Sequence, residues 1–276
     1  MSNILVSTIV RNREHTLPQW FTQIRNLVLE DPNNNYYLSI YENDSEDSSL
    51  ELIKSFDYSF AKNYSVITEK LGTPWFGCEK NNIQLVNEFY YSDEVLIMSL
   101  KDRVNMLANA RNKSIYECGF LDDCDYVLSI EPDIRYTPSE ALQHIIHNMK
   151  NYDILSGRSM SELRPGDRFN ALQNKDTKES DWHLLLYDSW ATRRRKPEQM
   201  WHFDVELEGM MPVWSTYNCF CMYNADPFKK RITFSGFNAR LDKWDCDTSV
   251  VCEEFRSHGY NNIYMDCDFR VGHMAK

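Results

Sequence analysis

The chain has 276 residues, 42% hydrophobic and 26% charged, a balance that supports a packed core and carries no compositional signature of disorder. Its 41 acidic residues outnumber 30 basic ones for a formal net charge of -11, which excludes a broad nucleic-acid surface, since phosphate binding needs clustered Lys and Arg. Met1-Ser2-Asn3 leads straight into Ile4-Leu5-Val6 without a charged leader, and no apolar run approaches the roughly 20 residues of a bilayer crossing, so a cytoplasmic chain with no membrane segment is expected.

Ile4 to Val10 is a continuous apolar, β-branched run, the pattern of a strand buried on both faces. A helix is predicted from Thr16, with Pro18 in its first turn, through Trp20, Ile24 and Leu27. Tyr36 to Tyr41 reads as a second strand and Ser48 onward as a second helix, an opening that predicts a parallel sheet covered by helices. Residues 58–100 read as less regular. The segment 103–117 spaces Val104, Leu107, Ala108 and Ile115 as a helix does, and Tyr126 to Ile130 reads as a short buried strand. Thr137-Pro138-Ser139-Glu140 has the form of a capping box. Residues 157–210, rich in aromatic and charged side chains, read as a long functional insertion rather than a linker. Val213 to Tyr223 reads as strand, Thr248 to His258 as helix stopped by Gly259, and Ile263 to Val271 as strand. The expected architecture is one α/β domain with a Rossmann-like, mostly parallel central sheet flanked by helices: a nucleotide half over 1–135 and a second half over 136–276.

Eight cysteines without C-x-x-C spacing point to buried thiols rather than a zinc site or a disulfide framework. The run Arg193-Arg194-Arg195-Lys196 is either a solvated loop or a clamp for an anionic substrate.

In open α/β sheets ligands collect beyond the carboxyl ends of the strands. Thr8 and Arg11, the pair Glu42 and Asp44, and the pair Glu131 and Asp133 fall at such ends. Glu131 and Asp133 flank Pro132, which stiffens the turn that presents them, and paired carboxylates suit Mn2+ or Mg2+ shared with a substrate diphosphate. His273, after the last strand, is a candidate third ligand. Arg103 and Arg111, on one helix, are candidates to grip phosphate or the carboxylates around a metal, and Glu42 and Asp44 to accept from ribose hydroxyls or from the base.

Tyr41-Glu-Asn-Asp-Ser45, Arg103-Val-x-x-Leu-Ala-x-x-Arg-Asn112, Tyr187-Asp-x-Trp-Ala-x-Arg193 and Cys246-Asp247 through Cys252-x-Glu254 to Gly259-Tyr260 resemble, in order, the cryptococcal α-1,3-mannosyltransferase and capsule-associated family, glycosyltransferase family 69. The resemblance implies a GT-A fold, a nucleotide-sugar donor such as GDP-mannose or UDP-xylose, a divalent cation, and transfer to a hydroxyl of a glycan or glycoprotein acceptor. By this resemblance Glu131 and Asp133 form the acid-x-acid metal motif, Arg111 is a donor-site residue, and Asp247 is the acid beside the reacting sugar. The chain departs from the family at Cys246-Asp247-Thr248, where Ser-Glu-Cys is usual, and at Arg194, where an acid is common, and the family's usual membrane anchor is not expected in it. A membrane-free form suits a virus or microbe that glycosylates in a cytoplasm.

Asp245 and Asp247, just before the last helix, are expected nearest the acceptor, and Asp188, Trp190, Trp214 and Asn218 are candidates for its platform. Asp247 acting as general base would give inversion, whereas the family resemblance favours retention. A nucleotidyltransferase would carry a Gly-rich phosphate loop after the first strand, and Ser7 to Asn12 contains no glycine. A catalytically inactive sugar-binding protein is the rival from another class.

Overall fold

The structure is a computed structural model that describes residues 1–72, 84–86, 89–91, 96–161, 191–196 and 208–274. Strand β1 (Asn3–Val10), helix α1 (Leu17–Glu30), β2 (Asn35–Asn43) and α2 (Ser49–Ser55) open the chain in the predicted β-α-β-α order. The segment read as less regular holds β3 (Asn63–Glu69), which pairs in parallel with β2 from Tyr37 opposite Asn63 to Asn43 opposite Glu69. It escapes a periodicity reading because it is an edge strand none of whose residues is fully buried, so selection for apolar side chains is weak. Three short strands, β4 (Gln84–Val86), β5 (Phe89–Tyr91) and β6 (Leu96–Ser99), form a separate antiparallel sheet and lead into α3 (Leu100–Tyr116).

β7 (Tyr126–Ile130) and the two-residue β8 (Ile134–Arg135) flank the acidic tripeptide. The short helix α4 (Pro138–Ala141) has Thr137 at its N-cap and Pro138 at its first position, as expected, but the Thr137 side chain makes no capping hydrogen bond. The chain continues through β9 (Ile154–Ser161), β10 (Met210–Pro212), β11 (Phe220–Asn224), α5 (Asp226–Lys229), β12 (Phe237–Asn238), β13 (Lys243–Trp244), α6 (Asp247–Ser257) and β14 (Ile263–His273). The strand expected over 213–223 is thus confined to its end. Asn218 and Cys219 have φ of 51° and 61°, and two successive left-handed residues cannot extend a strand. Gly259, with φ of 91°, ends α6 as predicted.

The main sheet runs β10-β14-β9-β11-β7-β1-β2-β3, with β8 added against β14, and so draws strands from both halves of the chain. Neighbours β7, β1, β2 and β3 are parallel, as are β9 and β14, while β11 is inserted antiparallel between β7 and β9. Both faces are covered, which is why β1 reads as an unbroken apolar run. Ile4, Val6 and Val10 pack in the cluster that holds Trp20 and Ile24 of α1, whereas Leu5 packs in the cluster with Ala108 and Ile115 of α3 and Val251 of α6. Strand order reverses at β1: β2 and β3 lie on one side and β7 on the other. That reversal splays the loops after β1 and β7 and opens a crevice at their carboxyl ends.

Candidate functional site

A pocket of about 150 Å³ occupies this crevice, lined by Ile9 to Arg11 at the end of β1, Asn43 at the end of β2, Arg103 to Ala110 along α3, and Glu131 after β7. Arg13 also lines it, so three guanidinium groups face one carboxylate, a charge balance suited to an anion. A larger hollow of about 320 Å³ between α1 and α2, walled by Pro18, Phe21, Leu52 and Phe56, gathers no such set of charges. Convergent chemistry, not size, marks the first as the site.

The loop after β1 is laced to the loop after β2. Asn12 N donates to Ser45 Oγ (3.1 Å), Glu46 N to Asn12 Oδ1 (2.8 Å), and Arg13 N to Ser49 Oγ (2.7 Å). Glu42 and Asp44 serve this frame: Glu42 Oε1 accepts from Ser45 N (2.9 Å), and Asp44 Oδ1 accepts from Leu71 N (2.8 Å) and Gly72 N (3.1 Å). The residue of this segment that faces the pocket is Asn43, which sequence reasoning passed over. Thr8 is buried in β1, short of the pocket lining, and its Oγ1 meets no hydrogen-bond partner among the described residues.

Helix α3 is seated on the sheet through Ser114, whose Oγ lies 2.7 Å from Ser7 Oγ and whose carbonyl accepts from Ser39 Oγ at 2.6 Å. That seating directs Arg103 into the pocket and buries Arg111 beside it. Arg111 donates from Nε to Asp247 Oδ2 (2.9 Å), from Nη1 to the Tyr217 hydroxyl (2.6 Å) and from Nη2 to Glu131 Oε1 (2.8 Å). Tyr217 in turn donates to Glu131 Oε1 (2.7 Å), closing a ring of three side chains from α3, the turn after β7 and the approach to β11, from which Asp247 at the start of α6 branches through Arg111. Of the two roles expected for Arg111, the structure realises the grip on carboxylates. Burial alone would lower the Arg111 pKa, but Tyr217, Glu131 and Asp247 together raise it well above its usual value. Burial also raises the Asp247 pKa despite the opposing pull of Arg111. Next to Arg111, Asn112 holds residue 234 through both its amide groups, at 2.8 and 2.9 Å, and ties α3 to the C-terminal half.

Asp133 points elsewhere than Glu131. Antiparallel pairing of β14 with β8 sets His273 opposite Ile134, and Met274 N donates to the Asp133 carbonyl at 2.9 Å. This brings His273 Nε2 within 3.4 Å of Asp133 Oδ2, while Arg13 Nη2 approaches the same oxygen at 3.1 Å. Burial works to raise the Asp133 pKa, yet the Arg13 guanidinium and His273 outweigh it and hold the carboxyl well below the usual range. The three expected metal ligands are thus parted: Asp133 and His273 meet, whereas Glu131 turns to Arg111. No group of three His, Cys, Asp or Glu side chains among the described residues is placed to hold an ion. Asp133 and His273 still supply an ionised oxygen and an imidazole nitrogen, a donor pair that suits Mn2+ or Mg2+ when a diphosphate and water complete the shell.

Asp245 is separated from Asp247 by its partner. Both of its carboxylate oxygens are held by Arg193, Oδ2 by Nη1 at 2.8 Å and Oδ1 by Nη2, and both residues are at most 2% exposed. Asn218 is fully buried, its amide shared among Ser156, Ser159, Thr192 and Thr216, so it braces the core instead of forming a platform. Trp214 is half-buried; its indole NH donates to Glu253, and the guanidinium groups of Arg240 and Arg256 lie 4.6 and 4.8 Å from its ring centre. Asp188 and Trp190 lie outside the described residues, as does most of the segment read as an insertion. All seven described cysteines are buried free thiols, and no described helix is long and apolar enough to cross a membrane.

A sequence model of the family described as cryptococcal mannosyltransferase 1 matches residues 3–254. A comparison with curated proteins finds no match. Among solved structures, the mannosyltransferase PcManGT from Pyrobaculum calidifontis, in complex with GDP-Man and Mn2+, superposes with a TM-score of 0.53 at 10% identity, covering 100% of this chain and 57% of that one. S. aureus TarS 1-349 gives a TM-score of 0.50 at 11% identity over 99% of this chain and 60% of its own, and its complex with UDP-GlcNAc gives 0.50 at 10% identity over 100% and 59%. At such identities the likeness speaks for the fold, which is the GT-A glycosyltransferase fold, and this chain spans about three fifths of those structures' length.

Proposed function

The chain belongs to the cryptococcal mannosyltransferase 1 family, and from that premise we propose that it is a glycosyltransferase that takes a sugar from a nucleoside-diphosphate donor, GDP-mannose or a UDP-sugar, and moves it to a hydroxyl of a glycan. One observation carries the reading: the pocket at the β1 and β7 strand ends gathers Arg11, Arg13 and Arg103 around Glu131 and adjoins Asp133 and His273. Arg11, Arg13 and Arg103 bind the diphosphate, since planar guanidinium forks match phosphate oxygens in pairs. Asn43 faces the nucleoside end. Asp133 and His273 would hold a divalent cation, which when bound offsets the negative charge of the departing diphosphate. Arg111 fixes Glu131 and Asp247 at the reacting end, and Asp247 is the carboxylate we place beside the sugar.

Retention is the stereochemical course we favour. A general base must offer a lone pair to the acceptor hydroxyl, but both oxygens of Asp245 are taken by Arg193 and Asp247 is buried against Arg111. The acceptor proton then passes to the departing phosphate oxygen.

The test is hydrolysis of GDP-mannose and UDP-sugars with Mn2+ and with EDTA, in wild type and in Asp133→Ala. Metal-dependent turnover in the wild type alone, with the thermal midpoint kept, is the expected result. No donor bound or cleaved by the wild type would sink the enzyme reading, and unaltered Asp133→Ala would remove that residue from the mechanism. The anomeric configuration of the product, read by NMR, separates retention from inversion.

A further inference from the structure

Arg13 stands between two demands. Its Nη2 lies 3.1 Å from Asp133 Oδ2, the oxygen that His273 also approaches, and its side chain lines the pocket together with Arg11 and Arg103. A carboxylate oxygen paired with a guanidinium at this distance binds a divalent cation there less tightly, because the two positive charges would sit side by side. We propose that Arg13 is a positioning residue that exchanges partners: in the donor-free protein it neutralises Asp133, and when a divalent cation takes that carboxylate it swings to the diphosphate. The proposal rests on the donor and metal reading above and adds to it an order of events, in which ion and diphosphate favour each other's binding through one side chain.

The geometry allows the exchange without backbone movement. The Arg13 amide is fixed to Ser49 Oγ at 2.7 Å, and its neighbour Asn12 is held by Ser45 and Glu46. Only the side chain, 23% exposed, has to turn. The diphosphate supplies the negative charge that Asp133 gives up to the ion, so with both ligands bound Arg13 keeps a counter-charge, whereas the ion alone must displace it without one.

Two titrations test this with Mn2+ and inorganic pyrophosphate, the portion common to all nucleoside-diphosphate donors. Arg13→Gln removes the competing charge, so Mn2+ alone, followed by electron paramagnetic resonance, should bind roughly tenfold more tightly than to the wild type. Pyrophosphate with Mn2+ held at saturation, followed by calorimetry, should bind roughly tenfold more weakly. A purely structural Arg13 would weaken both. Arg13→Lys, which keeps the charge but loses the fork, guards against misfolding of the neutral variant: Mn2+ affinity near wild type with weakened pyrophosphate is expected. Equal or weaker Mn2+ binding by Arg13→Gln, or unchanged pyrophosphate binding by either variant, overturns the exchange. Asp133→Ala tells the two failures apart: if it binds Mn2+ as the wild type does, the metal reading itself fails, whereas lost Mn2+ binding there with no effect of Arg13→Gln defeats only the exchange.

Discussion

Replacing Arg193 by Ala isolates what the most deeply buried ion pair among the described residues contributes. The guanidinium and the Asp245 carboxylate are each at most 2% exposed and meet through two parallel hydrogen bonds. Without the guanidinium, Asp245 keeps the Cys246 amide at 2.8 Å and a long contact with Asn238 at 3.5 Å, too little to solvate a buried charge. Removing one partner of such a pair costs about 3–5 kcal/mol, a large share of the roughly 5–15 kcal/mol that holds a domain together. The thermal midpoint should fall on the order of 10 °C. Urea denaturation at neutral pH is the assay: Arg193→Ala should lower the midpoint concentration at constant slope. The double variant Arg193→Met with Asp245→Leu should regain most of the loss, because an apolar pair carries no desolvation cost. A change within about 0.5 kcal/mol for Arg193→Ala, the range of ordinary surface substitutions, would refute the reasoning.

Three further outcomes follow from the packing and the charges. Burial raises the Asp247 pKa, so the folded state holds that proton more tightly than the unfolded chain and native stability declines as pH climbs from about 4 through the folded value. Asp247→Asn removes the decline, and stability curves of variant and wild type that stay parallel over that range would contradict it. Asp133 acts in the opposite sense: its depressed pKa contributes stability above about pH 4 that is lost as pH falls, so Asp133→Asn should flatten the acid limb measured by urea titration. A Cβ on Gly236 would collide with the Val104 side chain and stand 3.1 Å from the Val104 backbone carbon, forcing α3 away just where Arg103 enters the pocket. Gly236→Ala should therefore cost about 1–3 kcal/mol in denaturation and weaken pyrophosphate binding; loss of neither would show that α3 tolerates the shift.

What the sequence by itself determined is the set of features written in short-range pattern. The unbroken apolar run of β1 announces a strand covered on both faces, the apolar spacing along 103–117 announces α3, and the blocks around Tyr41, Arg111 and Cys246 carry the family. Those blocks mark the joints of the fold: Ser45 laces two loops, Arg111 joins three partners, and Asn112 ties α3 to residue 234. Only the tertiary structure decided which charge meets which. Glu131 and Asp133 are two residues apart and look like one motif, yet one faces Arg111 from α3 and the other faces Arg13 and His273, brought in by β1 and β14. Asp245 and Asp247 are likewise two apart and likewise divided, between Arg193 and Arg111. The partners lie 20 to 140 residues away along the chain, Arg111 and Asp247 being separated by 136, and no local pattern records such a distance. A carboxylate's type can be read from the sequence, but its chemistry depends on the guanidinium the fold sets beside it, because at close range in a dry site the nearest charge governs both its pKa and its reach.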